Sequence, residues 1–371
     1  MQKLAAITGI TGQDGSYLAE YLLENGYKVY AGIRRTSIPL SSNSRLHNLI
    51  DHPNLTLINL DLLDNGSIKS FVETIKSYVT SYMTIMGNYI EVYNLAAQSH
   101  VGESFKIPVL THQINAVAVV GLLEAFTEVF RKQFRFYQAS TSELFGNEAT
   151  GTKRSLSEQS SFKPTSPYAI AKLSAFLTVK HYRETYNTYA VNGILFNHES
   201  PRRGLDFVTR KITNGVAQYA TGKNKGPIML GNVNARRDWG DARDYVKAMH
   251  LMLNTSGSKI TDYVVSSGET YSVKDFCNMA FEKIGIILNW QGKGLHEHAV
   301  NENGLTKEVL IEIDPRFYRP SDVEYLLGDS TKIRENLNWQ PSVSFKQLVF
   351  DMVENDIEQL KGNLFKWNLF K

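Results

Sequence analysis

The feature that most constrains this chain is a run of spaced glycines between a strand-like and a helix-like segment. Leu4–Ile7 is apolar, Gly9, Gly12 and Gly15 follow it, and Tyr17–Leu23 carries apolar residues at helical spacing. Such glycines permit a tight turn and the close approach of a pyrophosphate, while the start of the helix offers free N–H groups. The pattern predicts the first unit of a dinucleotide-binding domain. The other loop residues expected to contact the cofactor are Thr11, Gln13 and Asp14.

Strand-like and helix-like segments alternate through residue 197. Further strand-like runs are Val29–Ile33, Leu55–Leu60, Val92–Ala96, Phe134–Ala139 and Val191–Phe196, and further helical patterns are Val119–Phe130 and Ala169–Tyr182. The alternation predicts an α/β fold with a doubly wound, Rossmann-like parallel sheet covered on both faces. We expect a dinucleotide-binding domain over residues 1–200 and a smaller α/β substrate lobe over residues 201–371, with strands and helices of the lobe returning onto the first domain.

Composition and charge argue against several classes of protein. Hydrophobic residues make up 42% of the 371 residues and charged residues 21%, values typical of a globular protein. Lys and Arg exceed Asp and Glu by 40 − 37 = 3, too few for a general nucleic-acid binder. No segment approaches roughly 18 uninterrupted apolar residues, so we expect no membrane partner and a cytoplasmic location. Cys277 is the only cysteine, which excludes an intramolecular disulfide and a cysteine-based metal cluster, and we expect no metal.

The end of the second predicted strand indicates which dinucleotide is bound. NAD sites normally carry an acid there that accepts from the ribose 2′-OH, whereas this strand ends in Arg34, Arg35, Thr36 and Ser37. Two guanidinium groups and two hydroxyls suit a 2′-phosphate, and the sequence therefore predicts NADP(H). The alternative is a solvated arginine pair on a loop.

A Tyr/Lys pair and a short polar segment are the candidates for catalysis. Tyr168 and Lys172 lie one helical turn apart, so the cation can lower the ordinary tyrosine pKa of about 10 and let Tyr168 act as a base. Thr141 and Glu143 follow the strand-like run Phe134–Ala139, at the sheet edge where open α/β folds bind ligands. The structural alternative for these two residues is helix capping.

These residues carry a resemblance to the extended short-chain dehydrogenase/reductases that modify nucleotide sugars, and most closely to the GDP-mannose 4,6-dehydratases. The similar motifs run in the family's order from residue 8 to 329 and include GITGQDGSYLAE, GIRRTS, NLAAQSHV, ASTSELFG, SPYAIAKL, FNHESPRRG, FVTRKI and RRDWG. The resemblance implies GDP-mannose as substrate and a hydro-lyase reaction that uses NADP. It also implies a homodimer or homotetramer in which the loop of residues 34–45 lies near the neighbour's cofactor.

The resemblance assigns roles that are chemically consistent. Tyr168, supported by Lys172 and Thr141, would deprotonate the C4 hydroxyl of the sugar while hydride passes to NADP⁺, and Glu143 would remove the C5 proton before water is lost from C6. The other implied cofactor contacts are Asp61, Leu62, Leu95, Ala96, Ala97, Gln98, Ser99, His198 and Arg203, with Tyr168 and Lys172 also touching the cofactor. The implied substrate contacts are Ser142, Glu143, Asn197, Lys211, Arg237 and Arg319. Each of the charged contacts could instead be a surface ion pair.

Some positions depart from the family pattern, and other functions remain open on the sequence alone. The stretch between Ile75 and Tyr93 is longer than usual, Leu110 replaces an aromatic residue and Asp241 a histidine, and Thr111–Asn115 differs from the family without an evident reason. The alternatives are an NADP-dependent GDP-6-deoxy-sugar reductase or epimerase, and a non-catalytic dinucleotide sensor. Glu143 argues against the reductase and the epimerase, and an intact Tyr168 and Lys172 argue against the sensor.

Overall fold

The computed structural model describes residues 2–35, 45–83, 87–149, 151–152, 154–224, 226–304, 307–318 and 323–362. Its strands are β1 Lys3–Thr8, β2 Tyr27–Ile33, β3 Leu55–Asn59, β4 Ile90–Asn94, β5 Phe134–Ala139, β6 Tyr189–Leu195, β7 Asn197–Glu199, β8 Ile228–Leu230, β9 Arg236–Arg237, β10 Trp239–Asp241, β11 Tyr263–Val265, β12 Tyr271–Ser272, β13 Leu288–Gln291, β14 His298–Asn301 and β15 Val309–Ile313. Its α-helices are α1 Gln13–Glu24, α2 Asn65–Met83, α3 Val101–Ser104, α4 Pro108–His112, α5 Ala118–Phe130, α6 Pro167–Tyr186, α7 Val208–Ala220, α8 Ala242–Leu253, α9 Val273–Glu282, α10 Thr331–Leu337 and α11 Phe345–Leu360.

A seven-stranded sheet organises the first part of the chain. Its strand order is β11-β6-β5-β4-β1-β2-β3, and every pairing in it is parallel. Helices α1 and α8 pack on one face, and α2, α5 and α6 pack on the other, because the inner strands are apolar on both sides. The predicted doubly wound α/β fold is therefore confirmed, and all six strand predictions correspond to strands of this sheet.

The strand β11 shows how the later sequence returns to the first sheet. It pairs in parallel with β6, so residues beyond 201 complete the sheet edge. The division of the chain at residue 200 remains a prediction about domains. A separate four-stranded sheet, in the order β13-β14-β15-β8, packs with α7, α9 and α11 around its own apolar core.

Two buried ion pairs fasten the later part of the chain to itself and to α1. Arg210 on α7 donates to Asp356 on α11 at 2.7 Å, and Arg202 donates to Glu20 on α1 at 2.7 Å. All four side chains are at most 6% exposed, so removing one partner would leave a buried charge without compensation. The Arg202–Glu20 pair fixes the segment after β7 against α1, and the Arg210–Asp356 pair holds α7 against α11.

One long helical stretch lies on the face of the sheet that α2 and α6 also cover. The helices α4 and α5 are joined by a π-helical turn, Gln113–Val117, into a continuous stretch from Pro108 to Phe130. By length and composition this stretch alone, among the described residues, could cross a bilayer, but half of its most apolar window is buried in the protein. It packs against α2 and α6, which is the environment of a core helix.

Helix α2 was not predicted over its first half, although its buried residues Ile68, Phe71, Ile75 and Val79 have helical spacing. It runs to Met83, so part of the long stretch after Ile75 is an extension of this helix.

Because β1, β4, β5 and β6 are parallel, the segments that follow them meet at one edge of the sheet.

Candidate active site

The glycine loop between β1 and α1 has the shape of a phosphate cradle. Gly9 has φ +78°, and a Cβ there would lie 2.8 Å from the Ala96 Cα at the end of β4. A Cβ on Gly15 would lie 2.2 Å from the Gly9 carbonyl oxygen. Gly12 caps α1 without a side-chain hydrogen bond, which leaves the helix N-terminus open to an anion. A dinucleotide pyrophosphate therefore fits this loop.

The next two residues of the loop, Gln13 and Asp14, reach the segment that follows β6. The Gln13 amide donates to the His198 carbonyl at 3.1 Å and accepts from the Ser200 hydroxyl at 2.8 Å. Asp14 Oδ2 lies 2.8 Å from His198 Nε2. These side chains connect the phosphate loop to the substrate side of the site. The sequence predicted them only as contacts to the cofactor, so this connection was not predicted.

The residues expected to bind the adenosine end lie at the ends of β2 and β3. Arg34 and Arg35 directly follow β2 and are exposed, so their guanidinium groups can reach a bound phosphate. Thr36 and Ser37 lie outside the described residues. Asp61 follows β3 and accepts from the Leu63 amide at 3.0 Å, and Leu62 packs against the apolar core.

The strand-end loop Leu95–Ser99 is held by Thr8 and Asn115, for which the sequence predicted no role at the site. The Thr8 hydroxyl accepts from the Leu95 and Ala96 amides, each at 3.1 Å. Asn115, in the π-helical turn, accepts from the Gln98 amide and donates to the Gln98 carbonyl, both at 2.8 Å. The departure at Thr111–Asn115 thus places a side chain that fixes the loop beside the cofactor cradle, and π-helical turns frequently occur at such functional sites.

The four predicted catalytic residues line one cavity of about 1030 Å³. Thr141 follows β5 and caps a short 3₁₀ turn, accepting from the Glu143 amide at 3.2 Å, so it serves as a cap and also lines the cavity. Tyr168 and Lys172 come from the first turns of α6. Ser166 caps this helix by accepting from the Ala169 amide at 3.1 Å, and Lys172 Nζ donates to the Ala139 carbonyl at 2.9 Å.

The electrostatics of the Tyr/Lys pair differ from the expectation. Burial raises the pKa of Tyr168 to about 12, and the hydrogen bond from Thr141 only partly opposes it. Burial also lowers the pKa of Lys172 to about 8. The Lys172 ammonium donates to a backbone carbonyl and lies 5.9 Å from the centre of the Tyr168 ring, so burial outweighs the expected influence of this cation on the phenol.

The cavity also brings together most of the predicted substrate contacts. Ser142, Asn197, Lys211 and Arg237 line it, whereas Arg319 lies outside the described residues. Among the described residues, Asn197 Oδ1 is buried without a hydrogen-bond partner. The aromatic ring of Phe317, which was not predicted, also lines the cavity and lies 3.3 Å from Lys211 Nζ. The cavity can therefore hold a polar and partly anionic ligand.

The predicted nicotinamide-side residues lie in the same wall. His198 stacks on Tyr245 with ring centres 4.5 Å apart. Arg203 pairs with Glu199 at 3.2 Å, and its guanidinium lies 3.6 Å from the centre of the Phe207 ring. Asp14, Leu95, Ala97 and Ser99 line the cavity as well, so the cofactor cradle opens directly into it.

The departure at Asp241 has a structural explanation. Asp241 caps α8, accepting from the Arg243 amide at 2.8 Å, and its carboxylate pairs with the Arg243 guanidinium at 2.6 Å. It is fully buried and absent from the cavity wall. Leu110 is partly buried on α4, and no contact explains its replacement of an aromatic residue.

Comparison with known proteins identifies the family. Residues 6–352 match the model of the family described as GDP-mannose 4,6 dehydratase. The chain belongs to this family. A GDP-mannose 4,6 dehydratase from Drosophila melanogaster is 45% identical over 97% of this chain and 88% of its own length. A GDP-mannose 4,6-dehydratase from Vibrio cholerae serotype O1 is 42% identical over 98% of this chain and 95% of its own length.

A solved structure shares the fold of this chain. A dTDP-glucose 4,6-dehydratase from Bacillus anthracis in complex with NAD has a TM-score of 0.73, with 18% identity, 97% of this chain and 98% of that chain covered. At this identity the likeness concerns the fold alone. Members of the GDP-mannose 4,6 dehydratase family depend on a nicotinamide dinucleotide, and the glycine cradle here fits one.

Proposed function

We propose that this protein is a hydro-lyase that converts GDP-D-mannose into GDP-4-dehydro-6-deoxy-D-mannose and water. The observation that carries the proposal is the convergence of Thr141, Glu143, Tyr168 and Lys172 on one cavity beside a dinucleotide cradle. A redox pair alone would serve many reactions. A carboxylate in the same cavity adds the base that a dehydration needs.

Each catalytic side chain has a defined task in this reaction. Bound NADP supplies a hydride acceptor for C4 and a hydride donor for C6. Tyr168 takes the proton of the C4 hydroxyl, with Thr141 hydrogen bonded beside it and the Lys172 cation held next to it by the Ala139 carbonyl. The resulting C4 ketone acidifies the C5 proton, which Glu143 removes. The C6 hydroxyl then leaves as water with the proton that Glu143 took from C5. Hydride enters at C6, and C5 receives the proton that Tyr168 took from the C4 hydroxyl, so the protons balance.

The mass of the product tests this function. The protein is incubated with NADP⁺ and GDP-mannose, and the product is analysed by mass spectrometry. A product lighter by one water is expected. A sugar nucleotide of unchanged mass would indicate an epimerase, and an unchanged substrate would contradict an enzyme that acts on GDP-mannose.

The preferred cofactor is NADP(H), held by Arg34 and Arg35 through its 2′-phosphate. Arg35→Ala is expected to weaken NADP⁺ binding by about tenfold or more, because a charge-assisted hydrogen bond to phosphate is lost, and to leave NAD⁺ binding unchanged. Fluorescence titration of both cofactors measures this. Lys180→Ala, a half-exposed cation on α6, is the control. Equal affinity of the wild type for the two cofactors would contradict the assignment.

The protein forms a homodimer or homotetramer. Support comes from exposed apolar side chains on two neighbouring helical segments, Pro108–Phe130 and α6. Val109 is 70% exposed and Val117 53% on the first segment, and Leu177 is 53% exposed on α6. Apolar surface of this kind is typical of association sites.

Disruption of this surface should dissociate the oligomer. Val120 on the first segment is 41% exposed and Ile170 on α6 is 51% exposed. The double variant Val120→Glu with Ile170→Glu is expected to give a monomer of 41.9 kDa in light scattering, because burial of two carboxylates in an apolar interface is unfavourable. Leu63→Glu, at a residue that is 52% exposed after β3, is the matched control. A wild-type protein that is monomeric at working concentration would contradict the assembly.

A further inference from the structure

Asp14 and His198 are separated by 184 positions in the sequence, and they meet in the wall of the active-site cavity. Asp14 lies in the first turn of α1, and His198 is the central residue of β7. His198 Nε2 lies 2.8 Å from Asp14 Oδ2, and His198 Nδ1 lies 2.8 Å from the Phe196 carbonyl oxygen. The side chains are only 11% and 20% exposed for His198 and Asp14.

This geometry determines where the protons are. A carbonyl oxygen only accepts hydrogen bonds, so Nδ1 must carry a hydrogen. A neutral imidazole has a single N–H, and Nε2 would then turn a lone pair toward the oxygen of Asp14 at hydrogen-bond distance. That arrangement is repulsive unless one more proton lies between the two groups. The proton is therefore shared by a carboxylate and an imidazole.

We infer that Asp14 and His198 form a buried carboxylate–imidazolium pair that positions β7 against the phosphate loop. Asp14 and His198 act here as positioning residues, because the proton that they share stays between them. The charge state of the pair is independent of the substrate.

Neighbouring contacts support the positioning role. Gln13 donates to Asp14 Oδ1 at 3.0 Å and to the His198 carbonyl at 3.1 Å, so one amide holds both partners. Tyr245 on α8 stacks on the imidazole, an arrangement favourable for a cation. The strand β7 that His198 occupies also carries Asn197, which lines the cavity.

The electrostatics agree with this placement of the proton. Burial is the largest single influence and would raise the pKa of Asp14 and lower that of His198. Their mutual attraction and hydrogen bond, together with the hydrogen bonds from Gln13 to Asp14 and from His198 to the Phe196 carbonyl, outweigh it, so the pKa of Asp14 falls and that of His198 rises. Burial lowers the pKa of Lys172 to about 8, and Asp14 opposes this. The titratable and charged groups that face the pair are Lys172, Tyr168, Arg203, Tyr137 and Tyr245.

Nitrogen NMR of histidine-labelled protein tests the charge state without any activity measurement. The His198 signal is assigned by its loss in His198→Gln. Both ring nitrogens of His198 should stay protonated above the ordinary histidine pKa of about 6.5 in the wild type. In Asp14→Asn one ring nitrogen should lose its proton at a lower pH than in the wild type. An unprotonated Nε2 in the wild type at neutral pH would overturn the inference, even if the protein proved to act on another substrate.

Discussion

Tyr168→Phe is expected to lower kcat for the dehydration of GDP-mannose by about 10²- to 10⁴-fold, the usual contribution of a positioned acid–base group. The substitution keeps the ring, which is 8% exposed, and removes only the hydroxyl that Thr141 contacts. Binding of the cofactor and of GDP-mannose should therefore persist. Steady-state kinetics and titration of both ligands measure the two effects.

The phenol of Tyr168 is hard to ionise in the ligand-free protein, since burial raises its pKa to about 12. The phenol must therefore be ionised before it can accept the proton of the C4 hydroxyl, and a neighbouring cation such as Lys172 favours that ionised form. Tyr186→Phe, at a half-exposed tyrosine on the same helix, is the matched control and should have wild-type kinetics. A Tyr168→Phe enzyme with near-normal kcat would show that another group accepts the C4 proton.

Glu143→Gln is expected to reduce dehydration by about 10²-fold or more, because the amide has the size of the carboxylate but is not a base. Glu143 lines the cavity two residues beyond Thr141, and its amide is held by the Thr141 hydroxyl at 3.2 Å. The variant should still bind NADP⁺ and GDP-mannose, and oxidation at C4 should survive. Accumulation of a C4 ketone with intact C6 oxygen, detected by mass spectrometry, would be its signature.

The control for Glu143 is Glu128→Gln, at an exposed carboxylate on α5 that pairs with Lys69. It should leave turnover unchanged. Near-normal dehydration by Glu143→Gln would require another base for the C5 proton, and the role assigned to Glu143 would have to be abandoned.

Local patterns in the sequence predicted those elements whose conformation is set by residues close to one another in the chain. The glycine loop, the strand β5 and the Tyr168–Lys172 turn of α6 all follow from spacing, because turn geometry and helical periodicity are local. The family resemblance then brought residues from both halves of the chain to one site, and the shared cavity is consistent with that arrangement.

Contacts between distant segments could not be predicted in this way. The Asp14–His198 pair joins α1 to β7, and Asn115 reaches Gln98 from a π-helical turn that no simple period indicates. The pKa of Tyr168 also depends on burial, which spacing does not reveal. The expected lowering by Lys172 considered one neighbouring charge and left out the desolvation that dominates.

In the proposed reaction a carboxylate in the cavity removes the C5 proton after C4 is oxidised. Reaction of the wild-type protein with GDP-mannose in D₂O, followed by NMR of the product, tests this step most directly. A 4-keto-6-deoxy product that carries solvent deuterium at C5 is expected. A dehydrated product that keeps its original hydrogen at C5, without exchange with solvent, would contradict this step.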